Sequence, residues 1–462
     1  MPIACVPVLP GDTVQHHTSA LIRVSPLNTP VMHPTTVRIH HFFVPNRILW
    51  DGWEDFITGG PDGTTIGGIP TVAQTATPRN LLTYLGVPLI DGLTVNALPL
   101  YAANMIFNEY YRDQDLVSER LLTDATEMRC SWEKDYFSTA RPWSQKGPDV
   151  SVPIGSTARV FAQYQSNQLI GVDETIGGEM KALNADGGVG LNQVYLDTNT
   201  AGVNPLLVDL QNATGVPVND FRASFAIQRY QEARARYGSR FTEYLRYLGI
   251  TPSDARLQRP EFLGGGSTRL QFSEVLQTSG GKETPEPGTR DDWTVGDMYG
   301  HGIAGVRSNR YRKFLEEHGY IISMLSIRPK SLYVNSLPRE FIKTTKEDFY
   351  QKELVNLGQQ EVYDAELYGS NDRTVFGYQD RYHEYRSHQS QVGQDFQTTL
   401  NAYHMGRDLA AAPVLNQAFV ECAPTDRVFQ VGEDVADTAW IMANHHIVAR
   451  RLVPKRANPR IL

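Results

Sequence analysis

Cysteine is scarce in this chain: Cys5, Cys130 and Cys422 are the only three in 462 residues. Three scattered thiols can form neither a disulfide framework nor a zinc ligand set, so they read as small buried hydrophobes of a reducing compartment. Charge is also thin. Asp, Glu, Lys and Arg make up 20% of the residues, against about 25% in ordinary soluble domains, as expected where much of the surface becomes interface. The formal net charge of −8 excludes a protein coated in nucleic acid, so any such contact must be local. No apolar run approaches the roughly 18 residues a bilayer span needs. The N-terminal MPIACVPVLPGD has no basic segment or continuous apolar stretch of the kind a secretory signal carries. The expectation is a soluble protein made in the cytoplasm, with no membrane partner.

Catalytic signatures are missing as well. The string HEYRSH at His383–His388 places its histidines five apart, whereas a zincin helix needs four. Gly280-Gly281-Lys282 is followed by Glu283 and lacks the upstream glycine of a phosphate loop. Neither a nucleophile elbow nor an EF-hand spacing occurs. Six of the 12 histidines form the neighbouring pairs His16-His17, His40-His41 and His445-His446. Adjacent strand residues point to opposite faces, so no such pair can chelate one ion. The expectation is therefore no enzyme, no metal and no cofactor.

What is there is β-rich sequence broken by long excursions. Pro26, Pro30 and Pro34 enforce extended or turn backbone, and Val37–Val44 is β-branched and aromatic enough for a strand. Trp50, Trp53 and Phe56 follow at once, beside Asp51, Glu54 and Asp55. PGDT at Pro10–Thr13 reads as a turn within extended residues 1–56. Residues 58–95 read as loop, and Leu100–Leu116 as a helix entered through Pro99. The WEKDYF stretch from Trp132 reads as β-like. Residues 150–219 hold nine glycines, no Trp, and six acidic side chains against Arg159 and Lys181, a poor core and a plausible surface insertion. A helix runs from Asp220, its N-cap, to Gly249, with Phe241, Tyr244, Leu245 and Leu248 on one face. Residues 263–305 read as a second long, Gly-rich connection. From Tyr320 strands dominate, including Tyr320–Ile327 and Thr438–Ile447. Strands interrupted by partly helical loops describe one antiparallel core with expanded connections.

Six stretches, in order, carry a family likeness. They are the Ser25–Gly60 run, WEKDYFSTARPWSQKGPDV (Trp132–Val150), SDARLQRPEFLGGGSTRLQ (Ser253–Gln271), EEHGYIISMLSIRP from Glu316, FGYQDRYHEYR from Phe376, and ECAPTDRVFQV from Glu421. The chain resembles the major capsid protein of Microviridae, the small icosahedral single-stranded-DNA bacteriophages, in particular the gokushovirus branch. The resemblance implies a mainly β fold, an eight-stranded antiparallel jelly roll of viral capsid type with long, partly helical loop insertions. One jelly-roll domain would then span residues 1–462. It implies a T=1 shell of identical subunits around circular single-stranded DNA, assembled in the host bacterium with scaffolding and minor virion proteins. Residues 150–219 would be a threefold protrusion that meets a host cell-surface receptor.

Two sets of residues are assigned roles on this reading. Phe42, Phe43, Trp50, Trp53 and Phe56 are candidate subunit-interface anchors, with core or loop packing as the alternative for each. The basic arm 448–462 ends in RRLVPKRANPRIL, with no acidic side chain after Asp437. Its Arg450, Arg451, Lys455, Arg456 and Arg460 are candidate DNA-phosphate contacts, with an untethered basic tail as the alternative. Arg229, Arg234, Arg236, Arg240 and Arg246 read as a solvated or subunit-facing helix surface. A β-rich carbohydrate-binding protein is the second reading of the whole, and a hydrolase the third.

Overall fold

Eight strands carry the core. A computed structural model describes the chain except residues 62–66, 78, 149, 151–158, 163–170, 173–180, 183–205, 210–217, 239, 279–294, 372, 410, 431–436 and 454–462. The strands are β1 (Pro2–Val8), β2 (Thr13–Leu27), β3 (Thr35–Pro45), β4 (Glu261–Leu276), β5 (Met298–Arg307), β6 (Tyr311–Phe314), β7 (Gly319–Pro329) and β8 (Ala439–Arg450). They form one antiparallel sheet in the order β1-β7-β3-β4-β5-β2, nearly closed into a barrel. β2 carries β5 over Ser19–Leu27 and β6 over Thr13–His16, and β8 pairs with it over Thr13–Val24. The fold is mainly β, as a jelly-roll capsid protein requires.

Alternation explains the inside of this barrel. Val14, Ala20, Ile22 and Val24 of β2 share one face, and Val37 and Ile39 of β3 point the same way. All but Val14 pack with Leu270, Ala304, Val306 and Leu325 from β4, β5 and β7, while Val14 joins Phe43 and Leu315. β7 and the second half of β3 are buried on both faces, and β7 accordingly reads as a nearly continuous apolar run. The outer face, Phe42, Val44, Ile322 and Met324, is covered by Leu98, Ala102 and Ile106 of a helix. In chain order the helices that matter are α1 (Asn46–Leu49), α2 (Trp53–Thr58), α3 (Leu98–Tyr110), α4 (Val218–Tyr237) and α5 (Phe241–Tyr247).

Several expectations are corrected. Residues 263–305 are not a connecting loop, because β4 and β5 occupy most of the segment. Their glycines mark close backbone approach. A Cβ on Gly265 would meet the Ile39 carbonyl oxygen at 2.5 Å, and one on Gly266 would meet that of Arg307 at 2.3 Å. The WEKDYF stretch forms no ladder: it follows an isolated bridge, Ser131 with Glu421, and runs into a turn, its aromatics packing inward. Strands do not dominate after Pro329 either. Between β7 and β8 the described residues form short 3-10 turns, two helical turns and one ladder, Gln359–Tyr363 with Val375–Asp380. They enclose a second core of Phe137, Tyr333, Leu367, Phe376 and Phe419. α3 ends at Tyr110 rather than Leu116, and the helix expected from Asp220 starts earlier, at Val218. It stops at Tyr237, where Gly238 takes φ +94°, and α5 restarts beyond it before Gly249 at φ +82°.

The chain divides into two compact units, one of residues 1–144 with 234–462 and one of residues 145–233. The second contains two small ladders, Arg159–Ala162 with Leu206–Asp209 and Gly171–Val172 with Lys181–Ala182, and most of α4. Most of the expected 150–219 insertion lies outside the described residues.

Candidate functional site

The aromatic turn is built by the exit from β3. Pro45 caps α1, and the Asn46 amide donates to the His318 carbonyl at 2.9 Å. Leu49 is buried, which turns the chain back over the barrel. Trp50 then folds across Gly52, where a Cβ would lie 2.7 Å from the indole, so only glycine fits. Gly59 at φ +83° ends α2, its amide bonding the Asp55 carbonyl at 2.9 Å. Phe56 lies between the two indoles, with ring centroids 5.6 Å from Trp50 and 5.9 Å from Trp53. Arg47 fastens the turn to the barrel through a bidentate pair with Glu317, at 3.1 and 3.0 Å, and a 2.7 Å bond to Gln258. Asp51, Glu54, Asp55 and Ile57 are left exposed.

This placement splits the five aromatic candidates. Phe42 and Phe43 are 1% and 6% exposed and belong to the subunit's own core, Phe42 under α3 and Phe43 inside the barrel end. A neighbouring subunit cannot reach them. For these two the alternative reading, core packing, describes the structure, because both faces of β3 are covered at this end. Trp50, Trp53 and Phe56 are half-buried, the two tryptophans leaning on the α3 cluster.

The basic arm is described only at its start. Arg450 closes the β8–β2 ladder opposite Thr13. Arg451 pairs with the buried Asp12 at 3.0 Å and donates to the Pro7 carbonyl at 2.6 Å. Lys455, Arg456 and Arg460 lie outside the described residues. Of the helix arginines, Arg236 pairs with Asp380 at 2.8 Å, and Arg240 donates to the Asn108 and Arg112 carbonyls.

A cleft of about 660 Å³ lies between β3, the end of α3 and the start of α5, lined by Arg38, Asp113, Glu133, Lys134, Arg141 and Arg328 among others. Most of its charged side chains are ion-paired. Arg38 meets Glu133 at 2.7 Å, Arg141 meets Asp115 at 3.2 Å, and Lys134 bonds Asp113. Burial would raise the Asp113 carboxyl, but Lys134 and Arg141 together hold it below the ordinary value. His40 at the rim is driven down to about 4 by burial and then by Arg328 and Arg38, and it bonds the Tyr111 hydroxyl at 2.8 Å. A similar pair, Arg339 with the fully buried Glu366 at 2.7 Å, ties down the second core. These are ion pairs that fix loops, with no nucleophile set against a base. Among the described residues no group of His, Cys, Asp and Glu could hold a metal ion. None of their helices is long and apolar enough to cross a membrane.

Comparison with known proteins agrees in one direction. The family model described as "Capsid protein (F protein)" matches residues 1–459. Capsid protein VP1 of Bdellovibrio phage phiMH2K is 30% identical over 463 residues, covering 91% of this chain and 84% of that protein. Capsid protein VP1 of Chlamydia phage 1 is 29% identical, covering 92% and 86%. The corresponding protein of Spiroplasma virus 4 is 27% identical, covering 91% and 84%.

Proposed function

Because the chain belongs to the phage capsid (F protein) family, and so is a structural capsid protein rather than an enzyme, we propose that its acidic aromatic turn is an assembly contact of a small icosahedral, T=1 shell enclosing circular single-stranded DNA. One observation supports this assignment: a turn pinned to the barrel by Arg47 exposes Ile57, at 50%, amid Asp51, Glu54 and Asp55. Trp50, Trp53 and Phe56 give that surface a stiff backing, so little conformational freedom is lost when a neighbour docks. Closed symmetry repeats the contact in every subunit, so a small loss per copy becomes a large loss for the shell. The test is Ile57→Asp. We expect the purified subunit to keep its circular dichroism and melting temperature while particle yield falls in sedimentation. Normal shells at the wild-type concentration would refute the assignment.

The arm 448–462 serves as the genome contact on the same reading, and residues 150–219 serve as the outward segment for attachment at the threefold axes. Composition supports both: the arm has no acidic side chain after Asp437, and 150–219 is glycine-rich and acidic. Scaffolding and minor virion proteins and a host receptor complete the set of partners. Shortening 165–205 to a Gly-Ser link separates the roles of the outward segment. Loop closure costs grow slowly with length, so intact particles that fail to adsorb would support attachment. Particles that adsorb normally would end that role.

A further inference from the structure

The barrel has a seam. β1 pairs with β7 alone and β8 with β2 alone among the described residues, so no ladder joins β1 to β8. The two edges meet through side chains. His445 bonds the Ile3 carbonyl at 3.1 Å, and Arg451 reaches the Pro7 carbonyl at 2.6 Å.

Beneath this seam the three histidine pairs converge. Each strand sends one histidine inward, and His16, His41 and His445 meet, with ring centroids of His16 at 4.5 Å from His41 and 5.7 Å from His445. The outward partners His17 and His446 stack on the other face at 4.8 Å. His16 and His41 are 1% and 0% exposed.

The hydrogen bonds fix which atoms carry protons. The Ile3 carbonyl can only accept, so Nε2 of His445 holds a hydrogen and Nδ1 accepts from the Thr18 hydroxyl at 2.8 Å. Thr18 Oγ1 in turn accepts from Nε2 of His16 at 3.1 Å. That leaves Nδ1 of His16 to accept from the Tyr311 hydroxyl at 3.0 Å. His41 is held between Ser323 and Ser308 at 2.8 and 2.9 Å, and Ser308 also accepts the Thr18 amide.

Every member of this chain is neutral. The groups that face it are His16 and Thr18 from β2, His41 from β3, Tyr311 from β6, Ser323 from β7, His445 from β8, Ser308 from the β5–β6 turn and a carbonyl from β1. Beyond burial, the charges that act on His16 and His41 belong to other histidines: His445 and His17 for the first; His16, His445 and His40 for the second. Arg307 and Arg310 act on the outward His17 instead.

We propose that the β1–β8 seam is an acid-labile closure of the barrel, opened when the His16–His41–His445 cluster takes up protons. A proton on Nδ1 of His445 turns an acceptor into a donor facing Thr18. Thr18 Oγ1 is then left accepting from both rings, and its own hydrogen loses its acceptor at Nδ1 of His445. A second proton places two imidazolium rings side by side, with no carboxylate acting on either among the described residues. The least costly relief is to release His445 from Ile3 and peel β8 from β2, because β8 and β1 are each paired along one edge only. The central strands β3 and β7 stay paired.

Hydrogen–deuterium exchange on the full-length protein tests this, with rates corrected for intrinsic pH dependence. Between about pH 7.5 and about pH 5, peptides from residues 2–8 and 439–450 should gain about tenfold in exchange, while 37–44 and 320–327 change less than about twofold. In His445→Gln, whose amide keeps both bonds without titrating, the gain should largely vanish. Equal gains in all strands, no gain at all, or an unchanged gain in the variant would each overturn the proposal. If the variant does not fold, exchange of the imidazole C2 hydrogens in the wild-type protein decides. His16 and His445 should stay neutral until the seam peptides open, and titration near an ordinary histidine pKa of about 6.5 with the seam closed overturns it.

Discussion

Replacing Phe42 by alanine separates the two roles open to the aromatic run. Its ring is 1% exposed and sits 4.6 Å from that of Tyr110 and 5.6 Å from that of Phe262, beneath α3. Removing a fully buried phenylalanine forfeits about 2 kcal/mol of transfer energy. A remaining cavity of roughly 100 Å³ adds about 2.4 kcal/mol more at about 24 cal/mol per Å³. The sum, about 4 kcal/mol, falls on the isolated subunit. With a urea m-value of about 3 kcal/mol/M, the midpoint followed by near-ultraviolet circular dichroism should drop by about 1.3 M. An interface residue behaves otherwise, leaving the subunit stable and impairing shells alone. A stability change under about 1 kcal/mol together with failed assembly would refute the placement of Phe42 in the core.

Four further outcomes follow from the same structure. Gly266→Ala should lower stability by about 1–3 kcal/mol, because its Cβ meets backbone at 2.3 Å where no side chain can yield; thermal melting checks this. Full-length protein should bind single-stranded DNA with a salt slope of about −2.8 rather than about −3.5, since Arg451 already serves Asp12 and four of the five cations remain, at about 0.7 each. Burial holds His16 and His33 down to about 4 and His41 to about 3, all below the unfolded value. The unfolded chain therefore binds more protons below about pH 6.5, and stability is full above that pH and falls as pH drops toward 4, by up to about 1.4 kcal/mol per pH unit per histidine; acid titration of the urea midpoint measures it. Burial also pushes the Cys5 and Cys422 thiols up to about 12, so a thiol reagent at about pH 8 should label them only after unfolding.

Much of the barrel is legible in the sequence. β3, β7 and β8 announce themselves because β-branched and aromatic residues crowd there, and PGDT marks the turn before β2. β4 and β5 hide because their glycines resemble a loop, while in the sheet those glycines are what neighbouring backbones require. The break after Tyr237 depends on one glycine inside an otherwise helical pattern, which local propensity tolerates. The WEKDYF stretch misleads because its aromatics belong to a loop core assembled from residues as distant as Phe419. For the assembly surface, the acidic aromatic turn is visible in sequence, but its division into core and exposed residues depends on α3 covering β3. The histidine pairs place their two members on opposite faces, as adjacent strand residues do. Their convergence depends on which strands become neighbours, and adjacent residues carry no signal of that.

Whether this chain forms shells is decided by analytical ultracentrifugation of the expressed full-length protein, with electron microscopy of the same sample. Above a threshold concentration we expect a single fast boundary of uniform particles of megadalton mass that Ile57→Asp suppresses. A protein that sediments as single subunits at every concentration, with no particles in micrographs, would contradict that expectation.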